Sequence, residues 1–235
     1  MLRYFILICS GAGLLACSSV SVQYTGAERM DVNANYERAN SIDSMIQPYR
    51  KELAAEMEEI IATAPEDFIK GRPNGSLNNW SCDALMAIFA KDVSGVPTIA
   101  LLNNGGLRNP ISKGNVTLGD LFKLMPFDNE VVIVDLPVKA LDDLRAYFNA
   151  NGGESLAGVK LLAGEWRFDN GMERMQCTSV RVITSDYLMN GGDNMAFFEM
   201  KTRVEYTGVL LRDAFIQQAK AEKTLNWNNE ERYRP

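Results

Sequence analysis

The sequence predicts an α+β domain, a mixed β-sheet flanked by helices, and three observations carry that expectation. Apolar and β-branched runs of strand length recur at Thr98–Leu102, 130–136, 159–168 and 178–183. Between them, apolar residues fall at three- and four-residue steps, the spacing of one helix face. The two patterns alternate without a strict strand–helix–strand rhythm, which argues against a doubly wound parallel sheet. With 235 residues, 46% of them hydrophobic, the chain can bury a substantial core as one large domain or one and a half.

The elements follow in order. Residues 1–16 read as a targeting segment: Arg3 gives a positive end, Tyr4 to Ile8 an apolar stretch, and Leu14-Leu15-Ala16-Cys17 a small-residue cleavage site. This resembles a bacterial lipobox with Cys17 as the lipidated N-terminus; an ordinary signal peptide cut nearby is the alternative. The apolar run is too short to span a bilayer, so contact with a membrane is expected through the lipid anchor only. The implied setting is a bacterial cell envelope, at the periplasmic face of the outer membrane. Residues 17–40 read as a tether with a possible edge strand from Val20 to Tyr24, and 41–235 as the folded domain.

Within that domain, Met45, Tyr49, Leu53, Met57, Ile60 and Ile61 predict a long amphipathic helix over 41–63, with Pro48 in a first turn or kink. Residues 71–75 are a loop. Trp80, Ala84, Leu85, Ile88 and Phe89 mark a second helix, capped by Asn78 or Asn79. After the Thr98–Leu102 strand, Thr117 and Asp120 resemble a capping box that opens a short helix ended by Pro126. A strand at 130–136 leads to a helix on Ala140, Leu141, Leu144 and Phe148 that stops by Gly152. Strands at 159–168 and 178–183, an apolar run at 195–200 and a final helix over 207–221 complete the domain. Trp80, Trp166 and Trp227 are expected to pack inside it.

Composition narrows the chemistry. The chain has no histidine and a net charge of −6, and loss of Arg3 with the targeting segment makes the mature chain one unit more negative. An acidic chain is a poor non-specific binder of nucleic acid. Phosphoester hydrolysis commonly uses a metal pair or a histidine base. Carboxylates alone can hold magnesium, but no D-x-D cluster is present. The inventory suggests recognition without transformation, with no cofactor in this chain. An oxidising envelope would permit a Cys82–Cys177 disulfide, but Cys82 shares a helical face with Leu85 and Phe89, which favours a buried thiol.

Two Gly-Gly loops concentrate the functional signal. Asn103-Asn104-Gly105-Gly106-Leu107-Arg108 follows the Thr98–Leu102 strand, and Asn190-Gly191-Gly192-Asp193 follows the run at 180–183. Glycine permits positive φ and close approach of backbone to a ligand. Arg108 offers a planar fork of donors suited to phosphate, and Asp193 offers acceptors suited to a pair of hydroxyls. Together they would fit a nucleotide.

These loops, with Pro126-Phe127-Asp128-Asn129 between them and Asp186-Tyr187-Leu188-Met189 leading into the second, occur in the order and spacing of one family. The chain resembles the C-terminal, substrate-binding domain of the 5′-nucleotidase and UDP-sugar hydrolase family from about residue 41 onward. The resemblance implies that Arg108 contacts phosphate and that Asn103, opening the loop of Gly105 and Gly106, is a polar contact for the ligand. It implies that Phe127 and Tyr187 sandwich the base, although the second ring is usually a phenylalanine. Asn129 would neighbour the base, and Asp193, beside Gly192, would accept from the ribose hydroxyls. An upstream arginine also assists with phosphate in this family; Arg72 is the nearest candidate, with Lys70 an alternative.

The family's dimetal phosphoesterase domain, rich in His, Asp and Asn, has no counterpart in this sequence. The expectation is therefore a substrate domain standing alone: the recognition half of a split 5′-nucleotidase in nucleotide catabolism. A separate metallophosphoesterase chain would then supply the divalent metal pair. A free-standing nucleoside- or nucleotide-binding lipoprotein is the second reading, and a structural envelope protein the third.

Overall fold

Period-two alternation along three strands decides the architecture. The computed structural model describes residues 40–90 and 96–235; the targeting segment, Cys17 and the possible strand at 20–24 lie outside them. The elements are α1 (Asn40–Met57), β1 (Ile60–Ala64), α2 (Ser76–Phe89), β2 (Thr98–Leu102), β3 (Gly114–Thr117), α3 (Leu118–Leu124), β4 (Glu130–Pro137) and α4 (Ala140–Asn151). There follow β5 (Ser155–Ala157), β6 (Val159–Leu162), β7 (Glu165–Phe168), β8 (Ser179–Ser185), α5 (Asp186–Met189), β9 (Arg203–Leu210), α6 (Leu211–Glu222) and β10 (Tyr233–Arg234). The chain divides into Met1–Ile46 and Gln47–Pro235, a boundary inside α1; residues 40–46 are the described part of the first unit, and all that follows concerns the second.

The central sheet has five strands in the order β5-β2-β8-β4-β9. β2 and β8 run parallel, while β5, β4 and β9 pair antiparallel to their neighbours. Because strand side chains alternate between faces, Ala100, Leu102, Val131, Ile133 and Ile183 enter one core with Leu77, Trp80, Leu85 and Phe215 from α2 and α6. Ile99, Leu101, Val132, Val134, Val180 and Val182 enter the other, with Leu141, Leu144 and Phe148 of α4. A sheet covered on both faces explains the near-continuous apolar strands. This is the expected mixed sheet flanked by helices.

Several expectations need correction. The helix predicted over 41–63 ends at Met57, and Ile60–Ala64 is a strand paired with β3 that buries Ile61 and Ala64. Helical spacing ran on through residues claimed by the sheet. Tyr49 and Leu53 on α1 are 72% and 56% exposed. The second helix begins at Ser76 after Gly75, so Asn78 and Asn79 lie buried inside it rather than capping it. The run at 159–168 is a hairpin, turned by Ala163 and Gly164, both at positive φ. Residues 207–210 extend β9 rather than starting the last helix. The apolar run at 195–200 forms a 3₁₀ turn, Ala196–Met200. Trp80 and Trp166 are buried, but Trp227 is 41% exposed and donates to the Asp67 carbonyl.

Cys82 and Cys177 are free, buried thiols, as the helical position of Cys82 suggested. They sit in different cores on opposite faces of the sheet. Burial pushes the Cys82 thiol far above its ordinary range, which suits an inert packing residue.

The capping box is fully formed. Thr117 Oγ1 accepts from the Asp120 N–H, and Asp120 accepts from the Thr117 N–H and hydroxyl. Burial acts to raise the Asp120 carboxyl, but these bonds, with Lys123 beside it, outweigh that and hold it below the usual carboxylate range. A depressed pKa contributes stability that is present above the unfolded value and lost as pH falls through the folded one. Thr117→Ala should lower stability by about 1 kcal/mol in urea unfolding near neutral pH. Measured between pH 5 and pH 3, the variant should lose stability less steeply than the wild type; an equal acid slope would mean that the cap does not hold Asp120 ionised.

Candidate functional site

Strand direction brings the motifs together. Parallel pairing of β2 with β8, in register from Thr98–Arg181 to Ala100–Ile183, makes both strands end at the same edge of the sheet. Both Gly-Gly loops therefore leave side by side. β4 runs antiparallel to β8 with Val131 opposite Ser185, so the segment before it, carrying Phe127 and Asn129, arrives at that same edge. Loops beyond the carboxyl ends of parallel strands are where sheets of this kind form clefts.

A cavity of about 320 Å³ opens there, lined by Asn103, Gly105, Gly106, Arg108, Phe127, Tyr187 and Asp193. Phe127 is 41% and Tyr187 46% exposed, so both rings present apolar area to solvent at the cavity instead of plugging a core. The Arg108 guanidinium lies 5.8 Å from the centre of the Phe127 ring, a cation–π distance. It donates weakly to the Gly105 carbonyl at 3.4 Å, and among the described residues no carboxylate pairs with it.

Asp193 is the most constrained residue of the site. Its backbone sits at φ 52° and ψ 25°, a left-handed conformation that Asp tolerates better than most residues. Tyr187 donates its hydroxyl to Oδ1 at 2.7 Å and Asn103 Nδ2 donates to Oδ2 at 2.6 Å, so each loop holds one oxygen. The Asp193 N–H donates to the Tyr187 hydroxyl at 3.2 Å, and the Tyr147 hydroxyl to the Asp193 carbonyl at 3.1 Å.

The glycines act mainly through space. A Cβ on Gly106 would sit 2.7 Å from Asn103 Oδ1, and one on Gly192 would sit 2.5 Å from the Tyr187 ring. Gly191 adopts φ +87°, whereas Gly105 and Gly106 do not use positive φ. The first loop needs glycine for close approach alone.

Three of the predicted residues lie outside the cavity. Asn129 Nδ2 donates to Asp186 Oδ1 at 3.1 Å, an oxygen that also accepts from the N–H groups of Glu130 and Tyr187; this knot anchors the Phe127 segment to α5. Gly192 lies beneath the Tyr187 ring. Arg72 forms an ion pair with Glu154 and donates to the Asn151 carbonyl at 2.9 Å. The reason is electrostatic: the Glu154 side chain is 1% exposed, and a buried carboxylate requires a counter-charge. Lys70, the alternative, donates to the Leu107 carbonyl at 3.0 Å.

Glu154 itself was missed. Its other oxygen accepts from the Asn104 N–H, so Arg72 and Glu154 together brace the first loop from behind. Burial raises the Glu154 carboxyl, against the Asn104 bond and the Arg72 charge that favour ionisation, and Asp193 nearby raises it further. The signal was present as a third glycine pair before a charge, Gly152-Gly153-Glu154. Tyr147 was also missed, since it falls beside the apolar stripe of α4.

Comparison with known proteins bears on the fold and the family. Residues 60–144 match the family model for the 5′-nucleotidase C-terminal domain. The trifunctional nucleotide phosphoesterase YfkN of Bacillus subtilis (strain 168) is 29% identical over 165 residues, 62% of this chain but 11% of its own length. The endonuclease YhcR of the same organism is 31% identical over 113 residues, 47% of this chain and 8% of its own. The chain thus spans about a tenth of these relatives. Among solved structures, a 5′-nucleotidase precursor from Thermus thermophilus superposes with a TM-score of 0.69 at 23% identity, covering 82% of this chain and 42% of that one. A putative 5′-nucleotidase from Staphylococcus aureus gives 0.57 at 16%, covering 80% and 42%; at such identity the likeness is one of fold. Residues 60–144 thus match the 5′-nucleotidase C-terminal domain model, and the chain shares its fold with solved 5′-nucleotidases.

Proposed function

We propose that the cavity holds a nucleoside or nucleotide, with the base between Phe127 and Tyr187, the ribose hydroxyls on Asp193 and the phosphate on Arg108. The observation that carries this reading is that three separate chain segments supply one cavity with two exposed rings, a carboxylate and a guanidinium that no described carboxylate pairs. A carboxylate has about four lone-pair sites. Tyr187 and Asn103 use one on each oxygen of Asp193, which leaves each oxygen able to accept again, as a cis-diol requires. Stacking contributes roughly 1–3 kcal/mol per base and tolerates any base.

The catalytic step belongs, in this proposal, to a separate metallophosphoesterase chain carrying a divalent metal pair. The sequence contains no histidine, and among the described residues no three His, Cys, Asp or Glu side chains converge as a metal site would need. That one relative is named a nucleotide phosphoesterase is consistent with a role in nucleotide breakdown. Lipidation of Cys17 would hold the domain at the bacterial envelope.

This chain alone should not release phosphate from AMP or cleave UDP-glucose with manganese, zinc or cobalt present. Turnover that tracks the purified chain and disappears with one of its carboxylates would overturn the assignment of chemistry to a partner.

Binding of adenosine or AMP should be weak, with Kd on the order of 0.1–1 mM, because one wall of a two-domain site is present. Arg108→Ala should weaken AMP far more than adenosine, and Asp193→Ala should weaken adenosine while leaving 2′,3′-dideoxyadenosine nearly unchanged. Each discrimination should reach about tenfold if the bonds are charge-assisted and sheltered. Calorimetry or ligand-observed NMR reads all of these, and equal losses across the ligands would mean that both residues serve only the loops.

Arg72→Ala should act differently. It strands a buried carboxylate, so it should destabilise the fold by about 3 kcal/mol and weaken adenosine and AMP to the same degree. A loss confined to AMP, with stability unchanged, would restore Arg72 as a phosphate contact.

A further inference from the structure

The second ring of the cavity is a tyrosine, and its hydroxyl is engaged both as donor and as acceptor. It donates to Asp193 Oδ1 at 2.7 Å and accepts from the Asp193 N–H at 3.2 Å. Ring and carboxylate thus close a small cycle across six residues, seated on Gly192, where a Cβ would come within 2.6 Å of ring atoms. Half-exposed as it is, the ring packs on Gly192 from one side, and this cycle sets its orientation at the hydroxyl end. Asp193 in turn holds a left-handed backbone that needs its surroundings to specify it.

We propose that the Tyr187 hydroxyl is a positioning and specificity-determining group, which fixes the Asp193 carboxylate so that the cavity selects ligands bearing a ribose cis-diol. The proposal rests on the nucleoside reading of the cavity and assigns its sugar selectivity to one atom. The physics is preorganisation. A free aspartate on a solvated loop would lose rotamer freedom on binding a diol, and that loss reduces affinity. Clamped from both sides by Tyr187 and Asn103, the carboxylate meets the diol already oriented. A phenylalanine would keep the stacking face but leave Oδ1 and the Asp193 N–H without this partner. The hydrogen bond to Asp193 also raises the Tyr187 phenol above its ordinary value, as expected of a donor held against a carboxylate.

The test compares wild type, Tyr187→Phe and Tyr187→Leu for adenosine and 2′,3′-dideoxyadenosine. Tyr187→Phe should weaken adenosine about three- to tenfold, the range of one net hydrogen bond, and change dideoxyadenosine by less than about twofold. Tyr187→Leu should weaken both ligands, because it also removes the ring. If Tyr187→Phe binds both ligands as the wild type does, or loses both equally, the hydroxyl does not set selectivity and the proposal fails. A ligand-free measurement separates this from the reading beneath it. The ultraviolet titration difference between wild type and Tyr187→Phe isolates this phenol, which should ionise above the usual value of about 10 and move down in Asp193→Asn. Failure of the wild type to bind adenosine overturns the nucleoside reading and this selectivity with it. An ordinary titration insensitive to Asp193→Asn would show that no clamp exists, whatever the cavity binds.

Discussion

Everything at the site depends on the parallel pairing of β2 with β8. Had these strands paired antiparallel, Asn103 and Asp193 would sit at opposite ends of the sheet. Instead Asn103 reaches Asp193 across the strand ends at 2.6 Å, joining residues 90 positions apart. The pairing is secured by burial on both faces: Ile99 and Leu101 fill one core, Ala100 and Leu102 the other. A one-residue slip would exchange these sets between cores of different shape, so register at the site is held by packing well away from it.

A second layer of polar support stands behind the loops. Glu154 is buried and costly to keep charged, yet it joins the Asn104 N–H to the Arg72 guanidinium. Asn78, inside α2, accepts from the Gly71 N–H at 3.0 Å and donates to Ser155 Oγ at 2.8 Å and Asn104 Oδ1 at 3.2 Å. Asp186 gathers Asn129 and the start of β4. Such networks are stable only when every member is satisfied, and these bonds hold the loops of the cavity in place from behind. Loops held in this way would suit the recognition proposed for this site, since ordering them on binding would reduce its affinity.

The sequence made the cavity-lining residues legible because they sit in short loops after recognisable strands. Thr98–Leu102 matched its strand residue for residue, and the Thr117–Asp120 capping box formed as its spacing indicated. What stayed hidden has physical reasons. Helical periodicity continued from α1 into Ile60 and Ile61, and only pairing with β3, where Ile60 faces Thr117, makes them strand. Asn78 looked like a cap because caps and buried polar hubs use the same residue type. Arg72 looked like a ligand contact because the carboxylate that claims it lies 82 positions away. Long-range polar partners leave no local pattern in a sequence; loop glycines and periodic apolar runs do.

On the proposed reading, one cavity at the end of β2 and β8 holds a nucleotide in a defined pose. A crystal structure of the domain soaked with AMP at millimolar concentration tests it most directly. The base should lie between the rings of Phe127 and Tyr187, the ribose hydroxyls within hydrogen-bond distance of Asp193, and the phosphate at Arg108. AMP ordered elsewhere on the molecule, or a cavity left empty at saturating ligand, would contradict it.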